Sequence, residues 1–199
     1  MKSLNIVLVG VGGQGILTMA RLLVEAAVAR GLKALAAETH GMSQRGGSVI
    51  VHVRIGEQIL SPLIPRGYAD IVVGTELIET ARYLVYASSS STVLTNTKVI
   101  TPPIPGIKSV DAGHVIEWIR SRVSRLLLVE ASRIAEELGF PQSTNMVMLG
   151  ALSRLVNEWI DIDYLEKAVA QIGRGRIAEL NLEAFRRGAD YICKRYSIC

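Results

Sequence analysis

Two glycine-rich segments near the start of the sequence combine residue types that could bind an anionic ligand. The first, GVGGQG at residues 10–15, follows an apolar run and precedes apolar residues at helical spacing. In such a turn the glycines bring backbone N–H groups toward a phosphate, and the helix N-terminus adds about half a positive charge. Glu38 lies where a ribose-binding acid is expected after the second strand. Close packing of the helix on a sheet would also explain these glycines, so both interpretations stay open.

The second segment, ETHGMSQRGG at residues 38–47, is a polar loop that leads directly into a strand. Its glycines allow the backbone to approach a ligand, and Arg45 could clamp a phosphate or carboxylate through two donors. His40 is a candidate catalytic group, with a structural histidine as the alternative. The residues predicted to face a cofactor are Gly12, Gly13, Gln14, Gly15, Ser43, Gln44, Arg45, Gly46 and Gly47.

Five further residues are predicted to contact a partner chain: Met42, His52, Arg54, Asn145 and Asn181. Met42 offers an adaptable apolar contact. His52 and Arg54 share one side of a strand, which we expect to be solvated or covered by a partner. Asn145 opens a helix, where capping is the alternative role. Asn181 lies within a helix, where asparagine is mildly unfavourable, so an interhelical or an interface hydrogen bond would explain it.

The elements that must position these residues follow from hydrophobic periodicity. Residues 1–40 predict a strand, a glycine turn, a helix and a strand, which together form a βαβ unit. Further strands are predicted at 49–55, 69–73, 92–95 and 126–129, with a helix at 76–86, a loop at 88–91 and only helices from residue 141. The predicted fold class is α/β, a Rossmann-like, mostly parallel sheet flanked by helices, with a C-terminal helical portion packed on it. We expect a single domain over 1–199, with its α/β part at 1–140 and its helical part at 141–199.

Composition and charge narrow the classes of function. The 199 residues include 22 Lys and Arg against 18 Asp and Glu, a net charge of +4, and 5% are aromatic. Scattered basic residues without a stacking platform argue against nucleic-acid binding. The N-terminal apolar run is too short for a signal or membrane segment, which predicts a cytoplasmic protein without membrane contact. Cys193 and Cys199 form no C-x-x-C motif, so we expect free thiols and no metal site in this chain.

Four segments carry a resemblance to a known family: GVGGQGI, ETHGMSQRGGSVIVHVRIG, STNMVMLGAL and AELNLEAFRRGADY. In this order they resemble the gamma-type subunit or domain of the 2-oxoacid:ferredoxin oxidoreductases, over nearly the whole chain. Within that family, THGMSQRGG is most similar to the small, beta-type subunit of the indolepyruvate enzymes. The resemblance implies a thiamine diphosphate enzyme that oxidatively decarboxylates an arylpyruvate, forms an acyl-coenzyme A and passes two electrons to ferredoxin.

The resemblance also implies where the cofactors reside. A large alpha subunit would carry thiamine diphosphate, Mg²⁺ and Fe4S4 clusters. This chain, inactive alone, would present its glycine turn and polar loop to the thiamine diphosphate and coenzyme A across the interface. Two other functions stay open. One is a free-standing Rossmann oxidoreductase that binds its own dinucleotide, and the other is a non-catalytic module that uses the loop to bind another protein.

Overall fold

The computed structural model describes residues 3–41, 46–101 and 109–199, apart from the side chain of His40. Within these ranges the chain forms six strands and seven α-helices. The strands are β1 (Ser3–Val11), β2 (Lys33–His40), β3 (Ser48–Gly56), β4 (Ala69–Gly74), β5 (Ala87–Asn96) and β6 (Arg125–Val129). The helices are α1 (Ile16–Ala29), α2 (Leu77–Arg82), α3 (Ala112–Arg120), α4 (Ala131–Glu137), α5 (Thr144–Ser153), α6 (Ile162–Val169) and α7 (Arg176–Tyr196).

The described strands form one mixed sheet in the order β2-β3-β1-β4-β5-β6. β1, β4, β5 and β6 are parallel neighbours, whereas β3 is antiparallel to both β1 and β2. The mostly parallel sheet is therefore confirmed. The predicted βαβ unit is split, because β3 lies between β1 and β2. The run Ile6 to Val9 is buried on both faces of the sheet, as expected for a central strand.

Helices cover both faces of the sheet. One cluster of buried apolar side chains joins the sheet to α1 and α4 to α7, and a second joins the opposite face to α2 and α3. The helical portion packs tightly because α5 and α7 cross through glycines. A Cβ at Gly150 would lie 1.8 Å from the Phe185 carbonyl oxygen, and one at Gly188 would lie 1.9 Å from that of Val147. Glycine at these two positions therefore lets the backbones of α5 and α7 come into direct contact.

Two predicted boundaries near the serine run are wrong. The helix expected at 76–86 is the shorter α2, followed by a 3₁₀ turn at Leu84–Tyr86. The loop expected at 88–91 belongs to β5, whose register with β4 shifts between Ala69 and Ile71. Serine hydroxyls replace the missing ladder bonds there, since Ser91 Oγ donates to the Ala69 carbonyl at 2.5 Å. Periodicity could not show this, because the irregular stretch is held by side chains.

The two cysteines form a disulfide, so the expectation of free thiols is wrong. Ser197 adopts a left-handed conformation with φ 57°, which turns the chain back after α7 and brings Cys199 to Cys193. Arg154 Nη1 donates to the Cys199 carbonyl at 3.0 Å, and the Tyr196 hydroxyl binds the backbone of Leu128 on the edge strand β6. The C-terminus is therefore fastened to the fold at several points.

Among the residues that the structure describes, every helix is either too short or too polar to cross a lipid bilayer.

Candidate functional site

A cleft of about 500 Å³ opens at the carboxyl end of β1. Its lining comes from the glycine turn, the first turn of α1 and the start of β3. The lining residues are Val11, Gly12, Gly13, Gly15, Ile16, Leu17, Thr18 and Val49. In open α/β sheets, ligands bind outside the carboxyl ends of the strands, and this cleft occupies that position.

The backbone of the turn is shaped by two glycines with positive φ. Gly13 has φ 99° and Gly15 has φ 74°, a region that residues with a side chain rarely adopt. Gly15 is also the N-cap of α1, and the helical ladder begins with the Met19 N–H donating to the Gly15 carbonyl at 3.1 Å. The amides of the first helical turn therefore have no acceptor within the helix, and they belong to residues that line the cleft, an arrangement that suits a phosphate or carboxylate.

Gln14 differs from the other described members of the turn because its side chain does not line the cleft. The sequence predicts a ligand-facing amide, whereas the structure turns it toward the sheet. Gln14 Oε1 accepts from the Val11 N–H at 2.8 Å and from the Thr75 hydroxyl at 2.7 Å. A Cβ at Gly10 would lie only 1.9 Å from Thr75 Oγ1, so this glycine makes room for the contact. Gln14 thus joins the turn to the residue after β4. It influences the cleft by holding the backbone of the turn in place and not by contacting a ligand.

The structure joins the glycine turn to the end of the polar loop. The Gly12 N–H donates to the Gly47 carbonyl at 2.7 Å, and the Gly46 N–H donates back to the Gly12 carbonyl at 3.2 Å. The expectation that the two segments lie together is confirmed for these three residues. Met42, Ser43, Gln44 and Arg45 lie outside the described residues, as does the side chain of His40, whose backbone ends β2. Their predicted roles stay predictions.

A polar cluster between the start of β3 and α2 was not predicted. Ser48, the first residue of β3, contacts the Glu79 carboxylate with its hydroxyl, which also lies 2.9 Å from the Tyr83 hydroxyl. Arg82 Nε donates to Glu79 Oε1 at 3.1 Å. The sequence signal for this cluster is the spacing of Glu79 and Tyr83, four residues apart on one helical face. Their partner Ser48 comes from a distant strand, which periodicity cannot identify.

Glu76 is the N-cap of α2 and is 1% exposed. Its carboxylate accepts from the backbone N–H of Glu79 at 2.7 Å and from that of Ile100 at 2.9 Å. Burial raises the pKa of Glu76, and these backbone hydrogen bonds oppose that rise. Glu76 therefore fixes the orientation of α2, which carries Glu79 toward Ser48.

The expectation of a solvated or partner-facing side chain is wrong for His52. This residue is 4% exposed, its Nδ1 accepts from the Ile64 N–H at 3.3 Å, and its ring meets Tyr86 edge-on at 5.1 Å. Burial lowers the pKa of His52. Arg54 remains partly exposed and donates to Asn5 Oδ1 at 2.9 Å and the Ser61 carbonyl at 3.0 Å. A partner contact at Arg54 stays a prediction.

Asn145 and Asn181 are each 6% exposed. Asn145 Nδ2 donates to the Gly15 carbonyl at 3.3 Å, so it joins α5 to the glycine turn and does not cap its own helix. Asn181 Nδ2 donates to the Ile172 carbonyl at 3.0 Å, in the connection between α6 and α7, so this bond joins the helix to a loop and is not the interhelical bond expected. Both side chains therefore have partners within the chain, and their contact with another subunit stays a prediction.

Comparison with known proteins gives the same family throughout. The model of the pyruvate ferredoxin/flavodoxin oxidoreductase family matches residues 5–191. The indolepyruvate oxidoreductase subunit IorB of Archaeoglobus fulgidus is 42% identical over 93% of this chain and 93% of its own length. The pyruvate/ketoisovalerate oxidoreductases common subunit gamma of Pyrococcus abyssi is 31% identical, over 91% and 92%.

Among solved structures, the fold matches the 2-oxoglutarate:ferredoxin oxidoreductase of Magnetococcus marinus, solved with 2-oxoglutarate, coenzyme A and succinyl-CoA bound. The TM-score is 0.75 at 22% identity, and the match covers 100% of this chain and 32% of that one. With a family model spanning most of its length and a relative at 42% identity, this chain belongs to the pyruvate ferredoxin/flavodoxin oxidoreductase family.

Proposed function

We propose that this chain is the beta subunit of an indolepyruvate:ferredoxin oxidoreductase. The complex oxidatively decarboxylates an arylpyruvate, transfers the acyl group to coenzyme A and passes two electrons to ferredoxin. The observation that carries this proposal is the 42% identity to an indolepyruvate oxidoreductase subunit over 93% of both chains. The common gamma subunit of the pyruvate and ketoisovalerate enzymes is less similar, at 31% identity, which favours the aryl substrate.

In this proposal the reactive cofactors belong to a large alpha subunit in the cytoplasm. That subunit holds thiamine diphosphate, Mg²⁺ and Fe4S4 clusters. Iron–sulfur clusters need several thiolates. The two cysteines of this chain are joined to each other, so they do not fit a cluster. The chain instead contributes binding groups to a pocket whose chemistry the partner supplies.

The cleft at the carboxyl end of β1 is the proposed contribution to that pocket. Coenzyme A carries phosphates, and the amides of the first turn of α1 suit an anion of this kind. Gly12, Gly13 and Gly15 let the ligand approach the backbone, while Leu17, 45% exposed, offers an apolar wall. Gly46 and Gly47 extend the surface toward the undescribed residues Ser43, Gln44 and Arg45, where Arg45 would add a charged donor.

Sheet order disfavours the alternative of a free-standing dinucleotide enzyme. A ribose-binding acid must stand on the strand next to the glycine turn. Here β3 separates β1 from β2, which carries Glu38. Two strand spacings amount to roughly 10 Å. If the phosphates of a dinucleotide bound at the glycine turn, Glu38 would therefore be too far from the ribose to bind it.

The proposal is tested by co-expressing this chain with its large partner subunit and assaying reduction of ferredoxin. Indolepyruvate, pyruvate and 2-oxoglutarate are compared with and without coenzyme A. We expect coenzyme A-dependent reduction with the highest kcat/KM for indolepyruvate. A preference for pyruvate would overturn the substrate assignment. Activity that does not depend on coenzyme A would overturn the role of the cleft.

A further inference from the structure

A buried carboxylate lies behind the proposed cleft, on the opposite face of the sheet. Glu79 is 7% exposed, and its two oxygens contact the Ser48 hydroxyl and Arg82 Nε. Burying a charged group costs free energy even when the group is paired, and a hydrophobic residue in its place is often no less stable. Stability of the fold alone therefore does not explain why a glutamate is buried at position 79.

Ser48 connects this carboxylate to the cleft. In the pairing of β1 with β3, Ser48 stands opposite Val11, on the sheet face that α2 covers. The residue before it, Gly47, accepts the Gly12 N–H, and the residue after it, Val49, lines the cleft. Fixing the Ser48 side chain therefore fixes the backbone on both sides of it, at the point where the polar loop meets the glycine turn.

We propose that Glu79 is a positioning residue for the cleft, acting through Ser48 with the help of Tyr83. The three side chains hold the first residue of β3, so that Gly46 and Gly47 stay bonded to Gly12 when a phosphate-bearing ligand occupies the cleft. This inference rests on the proposed function, because it takes coenzyme A as that ligand. It assigns Glu79 no contact with the ligand itself.

The test uses the intact complex of both subunits with Glu79→Gln, which keeps the shape of the side chain and removes its charge. Misplacing a binding group by about 1 Å can cost up to roughly 100-fold in rate. We expect the KM for coenzyme A to rise by about tenfold, while kcat at saturating coenzyme A changes by less than about twofold. Ser48→Ala should act alike, and Ser48→Thr, which keeps the hydroxyl, should restore the KM. Glu25→Gln is the matched control, because Glu25 is exposed on α1, where it forms an ion pair with Arg21.

Hydrogen exchange gives a second readout that needs no turnover. In Glu79→Gln, peptides covering 10–15 and 46–50 should exchange faster, and peptides of α7 should not change. Unchanged exchange in those peptides would overturn the inference whether or not the complex is active. Faster exchange with an unaltered KM for coenzyme A would also overturn it, because the cluster would then be structural only. A wild-type complex without coenzyme A-dependent activity would instead count against the proposed function, and exchange would still decide the role of Glu79.

Discussion

The backbone N–H of Gly12 donates to the carbonyl of Gly47 at 2.7 Å, and this contact joins two segments that are far apart in the sequence. Gly12 belongs to the turn that follows β1, and Gly47 is the last residue before β3. Because β3 pairs with β1 in antiparallel register up to Ser48 and Val11, the sheet itself brings the turn and the loop together. The cleft is therefore a product of strand order as much as of its glycines.

Gly15→Ala should damage the cleft more than the fold. Gly15 has φ 74°, and a Cβ there would lie 2.3 Å from Asn145 Nδ2. We expect a loss of about 1–2 kcal/mol in the free energy of unfolding from the left-handed backbone. We also expect a rise of roughly tenfold or more in the KM for coenzyme A of the complex.

Gly31→Ala is the control for this change. Gly31 has φ 90°, stands after the other end of α1, and has open space around a Cβ. It should lose only the free energy that comes from the left-handed backbone, about 1–2 kcal/mol by urea denaturation, and keep the wild-type KM. An equal rise in KM in both variants would mean that helix strain, and not the cleft, controls coenzyme A binding.

Gln14 and Thr75 should be energetically coupled. Gln14→Ala removes the acceptor of the Thr75 hydroxyl and of the Val11 N–H, so we expect a loss of about 1–3 kcal/mol in unfolding free energy. In a double-mutant cycle with Thr75→Val, measured by chemical denaturation, the coupling should be about 0.5–3 kcal/mol. Strictly additive losses would show that the two side chains do not form the bond described.

His52 should make the fold less stable in mild acid. Burial lowers the pKa of His52 in the folded chain below the ordinary value of 6.5, so the unfolded chain binds the proton first as pH falls. The free energy of unfolding should therefore fall as pH decreases through about 6.5, by at most about 1.4 kcal/mol per pH unit for one proton, until the folded pKa is reached.

The check is chemical denaturation of wild type and His52→Asn between about pH 5 and 8. Asparagine has no titration in this range and keeps an oxygen that can accept from the Ile64 N–H. Its stability profile should be flatter than that of wild type. Parallel profiles would contradict a neutral, buried His52.

The disulfide between Cys193 and Cys199 should stabilise the C-terminus. A bond closing so short a loop is worth roughly 2 kcal/mol in the chain-entropy model. Reduction should lower the thermal midpoint of wild type, and Cys199→Ser should show the lower midpoint with or without reductant. Mass spectrometry of thiols blocked after unfolding without reductant reports the bond directly. Two blocked cysteines in freshly purified protein would contradict it.

Gly150→Ala should disturb the crossing of α5 and α7. The added Cβ would lie 1.8 Å from the Phe185 carbonyl oxygen, so the helices must separate. We expect a loss of about 1–3 kcal/mol in unfolding free energy, the range for overpacked sites. Gly113→Ala on the exposed side of α3 places a Cβ 3.0 Å from Oδ1 of the capping residue Asp111, a small displacement on the surface, and should change the free energy of unfolding by less than about 1 kcal/mol. Equal stabilities for the two variants would contradict the close crossing.

The sequence predicted the elements better than their contacts. The strand at Ile6 to Val9 and the glycine turn were recognisable because burial and turn geometry leave local patterns. The insertion of β3 between β1 and β2 left no such pattern, since pairing partners are chosen by the whole sheet. For the same reason the alternation around His52 suggested an exposed face, although the segment at 57–68 covers it.

In the candidate site, too, the sequence indicated the features that depend on local residues and missed those that depend on the whole fold. Gly12, Gly13 and Gly15 line the cleft, and the sequence singled them out because a glycine turn acts through its own backbone; their contact with a cofactor stays a prediction. The amide of Gln14 was assigned to a ligand, because nothing local in the sequence indicates that Thr75 lies within reach. Ser48 and Glu79 were missed because each is unremarkable in its own element, and only the fold places them in contact.

The most direct test is to reconstitute the large subunit with and without this chain and to measure ferredoxin reduction with indolepyruvate and coenzyme A. We predict that turnover requires both subunits and that it saturates with coenzyme A. Under the same assay, this chain alone should show no turnover. The proposal is that the large subunit holds the reactive cofactors and this chain contributes binding groups. An isolated chain that catalyses the reaction with a tightly bound nucleotide of its own would contradict it. A large subunit that is fully active without this chain would also contradict it.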